Sequence, residues 1–202
     1  MRKFLAVLFV ICLVASADAR PTLTVRAFDD ESENGDAPAG AIMNMMVTEL
    51  YKAGLFNLVE REKLHYVYDE IRLAQRGLMD MSTAPNTDKL TIAKYTMTGA
   101  ITAYHYHEKG NKIAIPVLEF KAQAKTAYVM LDIRIIDNET SETVYAENML
   151  GESKQAEKGA AVKYKGFFIG SYNNKIGGIL ATATRNAVMK HVAALKLVNL
   201  EE

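Results

Sequence analysis

Residues Val47 to Gln75, VTELYKAGLFNLVEREKLHYVYDEIRLAQ, leave this chain few folding choices. Just upstream, Ile42, Met45, Met46 and Leu50 recur at helical spacing and predict a helix from about Ala39 to Lys52. Gly54 fits the position just past the end of that helix. Leu55 to Val59 then predicts a short strand. The charged turn Glu60-Arg61-Glu62 opens a second helix, from about Arg61 to Arg76, with Leu64, Val67, Ile71 and Ala74 on one face. Two amphipathic helices around one strand must bury their apolar faces against a sheet. Phe56 and Val59 on the strand, Phe28 upstream and Leu64, Val67 and Ile71 on the helix are the expected core.

The remaining chain alternates in the same manner. Leu23 to Phe28 reads as a strand, and the charged, turn-rich Asp29 to Pro38 as an exposed loop. Gly77 to Asn86 is a loop containing Pro85, and Asp88 to Lys94 a short helix. A strand continues to about His107, and Lys109-Gly110-Asn111 reads as a turn. Ile113 to Leu118, Phe120 to Ile136 and Thr143 to Leu150 are further strands, with a turn at Asp137 to Thr140. Ile176, Ile179, Leu180, Ala183, Ala187 and Leu195 predict a long C-terminal helix. Lys190, His191 and Lys196 near its end suit the negative pole of the helix dipole. The expected fold is an α/β, or α+β, sandwich with antiparallel strands and that helix.

The N-terminus sets the compartment. Met1-Arg2-Lys3 is followed by an apolar core from Phe4 to Val14, shorter than the roughly 20 residues of a spanning helix. Ala17-Asp18-Ala19 reads as a cleavage site, with Ala15-Ser16-Ala17 as a second candidate and an uncleaved membrane anchor as the alternative, so residues 1–19 read as a signal peptide and 20–202 as a single domain. The expected location is the periplasm or the outer membrane. Cys12 is the single cysteine and lies inside the apolar core, with the large Ile11 before it, so it reads as signal-peptide filler and not as a lipidation site. Without that cysteine, the mature chain has no disulfide to support it. The 24 basic and 24 acidic residues balance, which gives no basic excess to attract nucleic acid.

The order of helix, Gly54, Phe56, strand, Glu60-Arg61, Leu64 and helix resembles the CsgG family of curli production and transport components. Leu90 to Ile101 is similar to that family's helix followed by an apolar-x-Gly-x-Ile strand, here with Gly99. Ala127 to Asp137, followed by Glu142-Thr143-Val144, is similar to its strand pair. The match runs from about Leu23 to Leu195. The resemblance implies an oligomeric ring in the outer membrane. Each subunit would give β-hairpins to a shared barrel, with a periplasmic α/β domain as vestibule. Typical channel members carry a lipidated cysteine and an aromatic-bearing constriction loop after the first strand. This chain departs from both, since Asp29 to Pro38 holds acids and Asn34 but no aromatic residue.

Barrel strands alternate apolar and polar residues over nine to eleven positions. Phe120, Ala122 and Ala124 alternate with Lys121, Gln123 and Lys125. Ala160, Val162, Tyr164, Gly166 and Phe168 alternate with Ala161, Lys163, Lys165 and Phe167. Two hairpins are therefore candidates, about Lys112 to Met130 and Val144 to Ile169. A half-buried soluble sheet has the same period, so both alternatives stand.

Other chemistry has little support. His105-x-His107 with Glu108 has a spacing that can bind metal, but the sequence fixes no further ligand. The acids between Asp29 and Asp36 lack the spacing of a calcium loop, and Asp69 and Glu70 beside Arg72 read as a charged helix face. No Ser-His-Asp spacing, phosphate loop or dinucleotide fingerprint is present. The expectation is a homo-oligomeric envelope protein with no enzymatic activity and no cofactor, serving secretion or assembly of extracellular fibre subunits. The alternative is a soluble periplasmic accessory domain of the same fold, binding a cell-wall synthase or a flagellar or pilus part.

Overall fold

The structure is a computed structural model and describes residues 20–83, 90–115, 118–164, 167–170 and 176–198. The expected signal peptide and Lys165 lie outside the described residues. Among the described residues, seven strands form one sheet: β1 (Thr22–Val25), β2 (Asp29–Asp30), β3 (Asn57–Leu58), β4 (Tyr95–Ile115), β5 (Leu118–Asp137), β6 (Thr143–Tyr164) and β7 (Phe167–Gly170). Their order is β3-β1-β4-β5-β6-β7, with β2 also beside β4. The short strands β1, β2 and β3 pair in parallel, whereas β4 to β7 form an antiparallel meander. Among the described residues, three α-helices accompany the sheet, α1 (Ala39–Ala53), α2 (Leu64–Gln75) and α3 (Ile176–Leu195), with a short 3-10 helix at Met81–Thr83. The mixed α+β class expected from the sequence is the class observed.

Helices α1 and α3 cover one face of the sheet. Leu23, Val25, Met97, Ile101, Leu131, Ile133 and Ile135 face Ile42, Met46 and Leu50 of α1 and Ile179, Ala183, Ala187 and Val192 of α3. Each large aliphatic chain fully withdrawn from water here contributes about 1.5–3 kcal/mol. Phe28 and Phe56 belong to this core, each 5 % exposed. Gly54 ends α1 at φ 64°, where its N–H donates to the carbonyls of Leu50 and Tyr51, both at 3.2 Å.

Several local expectations are corrected. Leu64 and Val67 are only half-buried, and Ile71 is buried but outside the continuous core. The reason is topological: β3 is two residues long and forms the sheet edge, so the helix that follows it starts beyond the surface it was expected to cover. Val59 is half-buried for the same reason, its N–H donating to Leu23 O at 2.8 Å. Residues 90–94 form no helix. Their backbone carbonyls bond instead to side chains from elsewhere: Arg61 Nη2 donates to Thr91 O, Thr22 Oγ1 to Ile92 O, and Asn138 Nδ2 to Ala93 O. Lys109-Gly110-Asn111 is no turn, because each residue pairs with β5, opposite Ala124, Gln123 and Ala122. The long ladder overrides local turn preference.

His191 is likewise no cationic helix cap, for it is fully buried. Its Nε2–H donates to Leu131 O at 3.0 Å, which leaves Nδ1 to accept from the Tyr145 hydroxyl at 3.2 Å. Burial lowers the His191 pKa, against the raising influence of Leu131 O, Asp132 and Glu147. Burial also pushes the Tyr145 hydroxyl up to about 12. As pH falls, the unfolded chain therefore protonates its His191 imidazole before the folded one does. Stability contributed by neutral His191 should be lost as pH falls below its unfolded value of about 6.5. The thermal midpoint should fall between pH 7 and pH 5, and His191→Phe should flatten that slope. An unchanged slope would assign the acid sensitivity to other groups.

Candidate functional site

The strands β4, β5 and β6 are 21, 20 and 22 residues long and continue past the helices as a ribbon. The chain reverses between Ile115 and Leu118 and again between Tyr164 and Phe167. The register on both sides of β5 is unbroken throughout the projecting part, because the single shift with β4 lies at Ile101/Ala103 and that with β6 at Ile135/Ile136. Strand register therefore carries directly from the core to the tip.

One parity continues the helix-covered face. Above Leu131, Val129 and Ala127 it carries the rungs Glu108–Lys125–Gln155, Gly110–Gln123–Glu157, Lys112–Lys121–Gly159 and Ala114–Glu119–Ala161. The other parity carries His105–Tyr128–Glu152, His107–Thr126–Lys154, Lys109–Ala124–Ala156, Asn111–Ala122–Lys158, Ile113–Phe120–Ala160 and Ile115–Leu118–Val162. The expected alternation of Phe120, Ala122 and Ala124 against Lys121 and Gln123 is thus the alternation of the ladder. Gln123 is half-buried and Ala124 exposed. Lys125 is buried within the single chain.

The second segment is arranged differently from the expectation. Val162 and Tyr164 lie on β6, whereas Phe168 lies on β7 and pairs with Lys163. Val162 pairs with Ile169, and Tyr164 with Phe167. The reversal after Tyr164 gives Phe168 the parity of Lys163, not that of Val162 and Tyr164.

His105 and His107 share a face, their ring centroids 5.2 Å apart, with Tyr128 at 5.5 and 6.0 Å. Glu108 has the opposite parity, opposite Lys125, and does not join them. Among the described residues, no group of three or more His, Cys, Asp and Glu side chains is placed to hold a metal ion. In the acidic loop, Asp30 accepts from Ser32 N at 3.0 Å, Ser32 Oγ at 2.6 Å and Ala37 N at 2.8 Å. The Ser32 bonds hold its carboxyl below the usual range, and it serves as the staple of the loop.

The sheet face away from the helices bears a cleft of about 300 Å³ lined by Asp29, Glu31, Thr98, Thr102, Asp132 and Arg134. Thr102 Oγ1 donates to Asp132 there at 2.6 Å. On the helix side, an apolar groove of about 260 Å³ runs between Leu23, Val25, Val47, Tyr51, Leu58 and Val59. Among the described residues, no helix is long and apolar enough to cross a membrane.

Sequence reasoning missed how α3 meets β6. At Gly151 the helix lies so close that a Cβ would collide with Ala183 O and fall 2.6 Å from Ala187 N. Beside it, Asn186 Nδ2 donates to Glu152 O at 2.8 Å and Lys190 Nζ to Leu150 O at 2.6 Å. The spacing of Ala183 with Ala187 and of Asn186 with Lys190, each four residues apart on one helix, is the signal that was available.

The family model described as "Curli production assembly/transport component CsgG" matches residues 5–201. Comparison with curated protein sequences finds no match. Among solved structures, the chain is similar to the PelC dodecamer from Paraburkholderia phytofirmans, at 14% identity over 86% of this chain and 86% of that one, with a TM-score of 0.39. It is similar to lipoprotein GNA1162 from Neisseria meningitidis, at 12% identity over 86% and 99%, TM-score 0.41. The C-terminal domain of LpoB from Salmonella enterica matches at 15% identity over 67% and 85%, TM-score 0.36.

Proposed function

Because the chain belongs to the CsgG family of curli production assembly/transport components, we propose that it is a non-enzymatic envelope protein. In this reading, copies of the chain join into a ring through the projecting ribbon, and the ring serves export or assembly of extracellular fibre subunits at the outer membrane. The observation that carries the reading is the ribbon itself. Two consecutive hairpins extend past the helix layer, on an unbroken register, with apolar residues on one parity of their upper rungs. An unsupported strand ribbon of this kind gains stability by burying a face or pairing its edges. Joined side by side, such ribbons close into a cylinder with no edge. The apolar parity would then meet lipid, and Lys121 and Gln123 the lumen.

The test is fractionation combined with charge substitution. The wild-type chain should pellet with outer membranes and require detergent. Phe120→Arg should disrupt membrane assembly by about 2–4 kcal/mol per copy if the site is near the bilayer midplane. Gln123→Arg should be tolerated, and Phe168→Arg should behave like Gln123→Arg because of its pairing with Lys163. A detergent-free monomer in the periplasmic supernatant, unaffected by Phe120→Arg, would end this reading.

One observation favours a second reading. The apolar parity is uninterrupted only at the rungs of Leu118 and Phe120, because Asn111 and Lys158 flank Ala122 on the next rung. That is short of the nine to eleven residues of a spanning strand. A soluble periplasmic accessory protein, whose ribbon tips bind an envelope protein partner, meets this constraint. It predicts recovery without detergent and a stable complex lost on Phe120→Arg.

A further inference from the structure

Both flanks of the ribbon are blocked inside the α/β domain, and the two blocks end at nearly the same height. On the first flank, β1 pairs with β4 at Tyr95 to Met97, β2 pairs with it at Ala100 and Ile101, and Glu31 N–H donates to Ile101 O at 3.0 Å. Beyond that point no described strand lies on that side of β4. On the second flank, no described strand accompanies β6 until β7 pairs at Ala161 to Tyr164. Within the domain, the Leu150 and Glu152 carbonyls on that flank are taken by Lys190 and Asn186. By register, Glu152 stands on the rung of His105, a few residues above Ile101.

We infer that Asn186 and Lys190 are edge caps, which restrict pairing with a second copy of this chain to the projecting half of the ribbon. This rests on the ring reading for its partner but not for its mechanism. An edge strand presents outward carbonyls at alternate residues, and these template an added strand. Leu150 and Glu152 are alternate residues, and each receives a side-chain donor from one face of α3. The close seat at Gly151 holds the helix at that rim. Above the caps, β4 rises to the tip and β7 descends from it. The free side of β4 in one copy therefore suits the free side of β7 in the next, as an antiparallel pair. Both open sides belong to one chain, which makes a second copy the partner of matching geometry.

The experiment places Asn148→Cys on the capped part of β6, in a Cys12→Ser background, and reads covalent dimer after treatment with a bismaleimide. The capped chain should give background cross-linking. Asn186→Ala with Lys190→Ala should raise the dimer about tenfold or more, since two freed carbonyls regain strand partners. Lys190→Arg keeps a donor and should match the capped chain. The single alanine variants, at exposed positions, keep the measurement readable if the double variant unfolds, and each should give a partial rise. Equal cross-linking with and without the caps, or no rise in any folded variant, overturns the inference. Mass photometry of the capped chain separately decides the ring. A monomer there refutes the ring reading, while the response at position 148 still decides the caps.

Discussion

Gly151→Val should cost about 3 kcal/mol or more, at the top of the range for overpacked sites. The obstacle is backbone and cannot rotate away. A Cβ at Gly151 meets Ala183 O, Ala187 N and, at 2.9 Å, Ala187 Cβ. Moving α3 outward to admit it would pull Ile179, Val188 and Val192 from the core and lengthen the His191 bonds to Leu131 and Tyr145. Gly151→Ala should show the same sign with a smaller loss. Urea unfolding of the three proteins measures both effects. A Gly151→Val loss under about 1 kcal/mol would mean that the helix slides on the sheet at little cost.

Phe56→Ala should cost about 3–5 kcal/mol, as expected for emptying a well-packed aromatic site. Phe56 is 5 % exposed and sits in the continuous core between α1 and β3. Val59→Ala, just past β3 and half-buried, should cost about 1 kcal/mol, near the value of one or two buried methyl groups. Denaturant midpoints of the pair give a direct comparison. A Phe56→Ala loss no larger than that of Val59→Ala would show that the cavity collapses onto neighbouring chains.

The contrast between these two residues shows what is legible in the sequence. Helical periodicity and Gly54 locate α1 and its end, because both signals are local and nothing later in the chain competes with them. The dipeptide strand β3 and the exposed α2 look in sequence like a second covered layer, because periodicity reports an apolar face but not what covers it. Leu64 and Val67 have such a face and little to bury it against. The ribbon is legible as alternation at Phe120 to Gln123. Its length is hidden by Lys109-Gly110-Asn111, whose turn chemistry yields to the long ladders on either side of β5. The parity of Phe168 depends on where the chain reverses, and Tyr164 and Phe167 give no signal strong enough to fix that point. His191 misleads because a histidine near a helix end looks like a cap until its neighbours Tyr145 and Leu131 are known.

The parallel pairing of β1 with β4 has a kinetic consequence. Leu23 meets Tyr95 across about seventy residues of intervening chain, so the closure entropy of a long loop precedes any reward from that contact. The hairpins of β4 to β6 and the docking of α3 onto β6 join near neighbours along the chain. The meander and its helix should therefore form early, and the N-terminal strand with α1 should close late on a surface already built. In a refolding experiment, amide protection would appear first in β5 and α3 and last in β1. Until that last step, Met97 and Ile135 stand without the cover of α1 and Leu23, so the slowest intermediate is also the one most exposed to aggregation.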